Sequence, residues 1–168
     1  MKIFLVGLMG SGKSMLGKKV SQSIKLPFID LDDAIEAQEG MTVFEIFSKK
    51  GQEYFRSVEA AALRKQSEAK EFVMATGGGT PCFHRGMEFM NETGVTIFLD
   101  TAILEIVKRL DGPQRNLRPL LKDLPEDELE EKLEAMLQKR LPFYEQAQFT
   151  LNGATATAWD ILQLVTKK

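Results

Sequence analysis

Residues 7–14 read GLMGSGKS. They follow KIFLV, a continuous apolar run at 2–6, and precede Leu16, Val20 and Ile24, which recur every four residues. A short apolar run ending at a glycine suits a buried parallel strand, and the four-residue spacing suits one face of a helix. Between them lies the spacing G-x-x-x-x-G-K-[ST]. Its glycines let the backbone wrap with N–H groups pointing inward, where a β-carbon would obstruct an anion. A helix starting near Lys13 adds its positive dipole end. Such a start commits the chain to holding phosphates beyond the first strand. Gly10, Ser11, Gly12, Lys13, Ser14 and Met15 are the expected nucleotide contacts. Lys13 carries charge to the β- and γ-phosphates, and Ser14 offers a hydroxyl to Mg²⁺.

The pattern then alternates. FID (28–30), EFVMAT (71–76), VTIFLD (95–100) and AQFTLN (147–152) read as further strands. Helical spacing covers 32–39, 42–49, 52–68, 84–93, about 102–110, 126–141 and 156–166, with Gly40 and Gly51 as breaks. Strands alternating with helices predict a three-layer α/β/α sandwich on a parallel sheet. The stretch 111–127, DGPQRNLRPLLKDLPED, reads as a loop, with a mobile lid expected at about 111–125.

The 168 residues suit one domain, 1–168. A net charge of −2 argues against a duplex nucleic-acid partner, which would call for a wholly basic face. No apolar stretch approaches the roughly 18 residues that span a bilayer. Cys82 is the single cysteine, so no internal disulfide forms and a reducing, cytoplasmic setting is expected. The size and surface composition favour a monomer. The N-terminal apolar run is too short for a signal peptide and leads straight into the glycine loop. No N-K-x-D guanine-reading motif is present, so ATP is the expected nucleotide.

Three later stretches complete the picture. FIDLDDAIE (28–36) places Asp30 and Asp32 at the end of the second strand. ATGGGT (75–80) ends the third, and FRSVE (55–59) puts Arg56 on a helix. Ligands in open α/β sheets bind beyond the carboxyl ends of the strands. The glycine loop, D-x-D then IE, FR-x-x-E, the triple glycine, LRPLL (117–121) and KRLPFYEQA (139–147) follow one another over nearly the whole chain. The ordered set resembles the shikimate kinase family.

That resemblance implies a P-loop NTPase sheet of five parallel strands in the order 2-3-1-4-5, with a substrate-binding helical segment at about 32–66. It implies transfer of the ATP γ-phosphoryl group to the 3-hydroxyl of shikimate in aromatic amino-acid biosynthesis. Asp32 then matches the aspartate that holds the acceptor alcohol, and Asp30 the one that reaches Mg²⁺ through water. Arg56 and Arg140 match the pair gripping the substrate carboxylate, for which a guanidinium fork is suited. Gly77, Gly78 and Gly79 bring backbone N–H groups to the substrate. Arg118 matches the lid arginine that swings onto the phosphates, with Arg115 as a weaker candidate, and Arg109 lies against the adenine. Arg140 falls seven residues after Leu133 and four after Met136, so its helix turns it toward the core independently of any resemblance.

Plainer roles compete. Asp32 could serve as a helix N-cap, Arg56 as a surface arginine, and Arg140 as a partner of a buried carboxylate. Gluconate or a nucleoside monophosphate is the alternative acceptor, and an ATP sensor without turnover the alternative class. Asp100 is expected farther from the glycine loop and as the cap of the next helix. His84 and Cys82 are expected to be structural, and Trp159 to be core. NGATAT (152–157) lacks the arginine that relatives often stack on adenine, so base contacts there fall to backbone or apolar groups.

Overall fold

The computed structural model describes residues 1–110 and 124–166. Strands β1 (Lys2–Val6), β2 (Phe28–Asp30), β3 (Phe72–Ala75), β4 (Val95–Asp100) and β5 (Phe149–Asn152) form one parallel sheet in the order β2-β3-β1-β4-β5. Helices α1 (Lys13–Ile24), α2 (Leu31–Glu39), α3 (Val43–Gln66), α4 (Gly86–Thr93), α5 (Ile103–Arg109), α6 (Glu126–Tyr144) and α7 (Ala158–Thr166) surround it. The register aligns Leu5 with Ala75 and Val6 with Phe98, so β1 and β3 end within a residue of each other and β4 runs two residues farther, to Asp100.

The alternation along β1 divides the core. Phe4 and Val6 pack with Leu31, Ile35, Phe55, Leu133 and Tyr144 on one face. Ile3 and Leu5 pack with Leu16, Val20, Ile161 and Val165 on the other. Side chains two apart along a strand share a face, so one five-residue run serves both layers. All four of these β1 residues are fully buried.

Local chemistry sets the boundaries. Thr42 and Glu45 close a reciprocal capping box that starts α3 one residue after the sequence pattern suggests. Gly51, at φ 83°, breaks α3 into two arms, as the glycine predicts. A 3₁₀ turn at Thr80–Cys82 delays α4. Helix α6 runs past Pro142 to Tyr144 rather than stopping before the proline. A proline in the last turn forfeits one intrahelical bond, and burial of Tyr144 draws the final turn into the core. The last strand begins two residues later than expected, at Phe149, and α7 two residues later because Thr157 and Asp160 form the cap ahead of it.

Three expectations are overturned. Asp100 does not cap a helix: α5 is entered through Ala102, which has no side-chain oxygen to offer. Nor is Asp100 farther from the glycine loop in strand order, since β4 pairs with β1 directly, as β3 does. Trp159 is 65% exposed. It lies two residues before Ile161, and Ile161 and Val165 are the α7 residues that face the sheet, so the indole points away. Among the described residues, no helix is long and apolar enough to cross a membrane. Residues 111–123 of the expected lid, with Arg115 and Arg118, lie outside the described residues.

Candidate active site

Strand β1 delivers the chain into the glycine loop near the end of β3, while β4 runs on beside it to Asp100. A β-carbon on Gly7 would sit 2.8 Å from the Leu99 carbonyl oxygen, so the loop can pass β4 only as glycine. Gly12 adopts a left-handed φ of 99° and enters α1 with no side-chain cap. The buried Lys13 lies back along the loop, its Nζ donating to the carbonyls of Gly7 and Leu8 at 2.8 Å each.

Ser14 Oγ donates to Asp30 Oδ2 at 2.6 Å. The other Asp30 oxygen accepts from the Asp32 backbone N–H at 3.2 Å. Asp30 is therefore the N-cap of α2, and Asp32 stands in its first turn. The two oxygen donors, Ser14 and Asp30, fit a hard cation that keeps most of its water and phosphate ligands, as Mg²⁺ does.

Asp32, Arg56, Glu59 and Arg140 line one cleft beside the loop, floored by Gly77–Gly79 and walled by Val43, Phe47 and Phe55. The glycines explain how the groups converge. A β-carbon on Gly77 would lie 2.7 Å from Glu59 Oε1 and 3.3 Å from Asp32 Oδ1. One on Gly78 would lie 2.9 Å from Arg140 Nη1, and one on Gly79 would run into the Arg56 guanidinium. Each glycine is the space that lets one charged side chain reach the turn.

Arg56 is 6% exposed and donates to Glu59 Oε2 at 2.7 Å. Its guanidinium lies 4.4 Å from the Phe83 ring centroid. Glu59 accepts also from Thr80 Oγ1 at 2.7 Å. Arg56 Nε and Arg140 Nη1 are buried with no hydrogen-bond partner among the described residues. Buried donors without partners are costly, and two on one cleft suit an anion. The plainer readings exchange places: Arg56, not Arg140, holds the buried carboxylate, and neither is a surface arginine.

Helix α6 supplies Arg140 and, one turn later, Tyr144, whose buried hydroxyl donates to the Gly78 carbonyl at 2.6 Å. Burial pushes the Tyr144 phenol well above its ordinary range. Cys82 lies near Arg56 and Arg140, and burial pushes its thiol up to about 11. Sequence reasoning assigned no role to Glu59, Thr80 or Tyr144. The i,i+3 spacing in FR-x-x-E was the available sign for Glu59.

A second cleft opens on the far side of the loop, between Gly12, Met15 and Lys19 and the segment 153–158. Arg109 reaches it from α5, bonded to Glu105 Oε1 at 3.1 Å and to the carbonyls of Gly10 and Gly153 at 3.3 and 3.4 Å. The structure thus gathers Lys13, Ser14 and Asp30 in one group, Asp32, Arg56, Arg140 and the triple glycine in a second, and Met15 with Arg109 in a third.

Comparison with known proteins agrees. Residues 9–167 match the shikimate kinase family model. A shikimate kinase from Bacteroides thetaiotaomicron is 43% identical over 152 residues, covering 90% of this chain and 86% of that one. One from Flavobacterium psychrophilum is 36% identical, covering 99% and 97%. The crystal structure of a Bacteroides thetaiotaomicron shikimate kinase superposes with a TM-score of 0.92 at 39% identity, covering 100% of this chain and 99% of that one. A shikimate kinase from Acinetobacter baumannii, solved in complex with shikimate, gives 0.88 at 32% identity, covering 99% and 90%. With its sheet order, its phosphate loop and this breadth of likeness, the chain belongs to the shikimate kinase family.

Proposed function

We propose that the chain phosphorylates shikimate at its 3-hydroxyl, consuming ATP and releasing ADP. The observation that carries this reading is the meeting of Arg56, Arg140 and Asp32 on the triple-glycine turn beside the phosphate loop. Two guanidinium groups select a carboxylate, and a carboxylate between them and the loop selects a hydroxyl.

The loop amides and Lys13 hold the donor phosphates, Lys13 exchanging its carbonyl partners for phosphate oxygens. Ser14 and Asp30 would hold Mg²⁺, which neutralises charge on the β- and γ-oxygens when bound. Arg56 and Arg140 grip the acceptor carboxylate and turn the ring so that its 3-hydroxyl meets Asp32. Asp32 orients that hydroxyl and takes its proton as the oxygen bonds to the γ-phosphorus. The bond from the γ-phosphorus to the β,γ-bridging oxygen breaks, and ADP leaves. Such transfer depends mainly on positioning and charge neutralisation, which is what these residues supply. Arg118, arriving from the lid, adds charge at the phosphates and excludes water, with Arg115 in support. Met15 and Arg109 border the base. We assign the enzyme a monomeric state, a cytoplasmic location, and no nucleic-acid or membrane partner.

The test is ADP release with shikimate, gluconate or nucleoside monophosphates as sole acceptor. Shikimate alone should support turnover. Arg140→Ala should raise the acceptor KM and spare that for ATP. An unchanged acceptor KM would refute the carboxylate assignment.

A further inference from the structure

We infer that Phe83 is a positioning residue for the acceptor grip: its ring holds the Arg56 guanidinium at the angle at which it meets a carboxylate. This rests on the proposed role of Arg56 as a ligand of the acceptor.

Glu59 Oε2 accepts from Arg56 Nη1 at 2.7 Å. A hydrogen bond at one nitrogen fixes one point of the guanidinium and leaves its plane able to tilt about that point. A two-pronged bond to a carboxylate depends on that plane. The second constraint comes from the turn after β3. The Phe83 ring lies under Arg56 Cζ, 4.4 Å from its centroid, nearer than Phe55 at 5.2 Å or Phe47 at 5.9 Å. Attraction between a cation and a ring face strengthens where the cation is shielded from water, and Arg56 is buried. Phe47 and Phe55 line the acceptor cleft and pack on each other with centroids 4.6 Å apart. Phe83 is not among the lining residues, so its influence on the acceptor runs through Arg56.

The backbone beyond Phe83 is held in place. His84 and Arg85 take left-handed φ values of 49° and 57°, which residues other than glycine seldom adopt. Such strain persists only where neighbouring contacts impose it. Here the His84 carbonyl accepts from Arg64 Nη2 at 2.9 Å, and Arg85 pairs with Glu88. Arg64 and Arg56 both belong to α3, so the helix that carries the guanidinium also fastens the loop that carries the ring. Phe83 is 38% exposed, which makes burial a weak reason for an aromatic there and contact with a shielded cation the stronger one.

The test is calorimetric binding of shikimate and of ADP to the parent, Phe83→Leu and Phe83→Tyr. Leucine keeps the apolar bulk and removes the ring face, whereas tyrosine keeps the face. Binding must then re-order one freed side chain, so Phe83→Leu should bind shikimate about 2- to 12-fold more weakly. Its ADP affinity should stay within twofold, and Phe83→Tyr should match the parent for both ligands. A shikimate affinity within twofold of the parent in Phe83→Leu overturns the inference. So do equal losses for shikimate and ADP, or a Phe83→Tyr variant as weak as Phe83→Leu, since these mark a displaced loop rather than an untethered guanidinium. NMR relaxation of the Arg56 Nε–H reads the tether without ligand: its order should fall in Phe83→Leu and hold in Phe83→Tyr, and equal order in all three proteins overturns the inference. A parent that binds ADP and not shikimate would refute the proposed acceptor, and the NMR comparison then decides the tether by itself.

Discussion

Gly79→Ala isolates the acceptor grip from the fold. Gly79 has φ −93° and ψ −14°, an ordinary right-handed conformation that alanine accepts. The backbone alone would gain about 0.4–1 kcal/mol from the stiffer unfolded chain. The conflict lies with one side chain, because the added methyl occupies the space of the Arg56 guanidinium. Arg56 has little freedom to yield: Glu59 holds it at 2.7 Å, and Phe83 and Phe55 lie 4.4 and 5.2 Å from it. It must retreat by about 1 Å to restore normal contact. A retreat of that size breaks a charge-assisted hydrogen bond to the acceptor carboxylate, at about 1.5–3 kcal/mol. The acceptor KM should therefore rise about 10- to 150-fold. The KM for ATP should hold, since the methyl touches neither Lys13 nor Ser14. Because KM tracks affinity only when chemistry is slow, calorimetric titration of shikimate should accompany the steady-state assay. A folded variant whose shikimate affinity stays within twofold of the parent would refute Arg56 as a carboxylate ligand. Equal rises in both KM values would refute the separation of the two clefts.

Tyr144→Phe keeps the ring and deletes the donor to Gly78 O, which should lower stability by about 1–3 kcal/mol. At about 2–4 °C per kcal/mol for a chain of this size, calorimetry should show Tm falling by about 2–12 °C, and an unchanged Tm would reject the anchor. Asp30→Asn retains a competent helix cap but weakens the cation site. The Mg²⁺ concentration for half-maximal rate should rise about tenfold or more with little change in Tm. Cys82 should be alkylated slowly at pH 8 and faster as pH climbs toward 11, because burial raises its thiol from an ordinary 9.0 to about 11. The same rise predicts a loss of stability above pH 9. There the unfolded thiol ionises while the folded one stays protonated, so the unfolded state binds fewer protons and gains. Denaturant midpoints at pH 8 and 10, for the parent and for Cys82→Ser, measure that contribution.

What the chain disclosed in advance followed strict local rules. β1 and β4 were readable to the residue because both are apolar runs buried along most of their length that end at glycine or aspartate, and the half-buried β2 because Pro27 and Asp30 bound it. Arg140 could be placed toward the core from its spacing to Leu133 and Met136 alone. Where the reading failed, the deciding contact was distant in sequence. Trp159 fits an apolar pattern as well as Ile161 does, and only the approach of α7 to the sheet separates them. Asp100 has the composition of a cap, yet Ala102 occupies that position. The Arg56–Glu59–Thr80 chain of bonds joins α3 to the turn after β3, and Tyr144 crosses 66 residues to reach Gly78. The i,i+3 step from Arg56 to Glu59 could be seen in the sequence, but the bonds to Thr80 and Gly78 leave no periodic trace.

The strand order has a consequence for how such an enzyme changes its diet. The two clefts lie on opposite flanks of β1: the segments that follow β2 and β3 line one, and the segment after β5, with Arg109 from α5, borders the other. Helix α6 packs against α5 and against the 3₁₀ turn after the triple glycine, bringing Arg140 to the cleft there and Tyr144 to the Gly78 carbonyl within one turn. A new acid could thus be accommodated by rewriting that turn and the β2–β3 flank, with the machinery for spending ATP left as inherited.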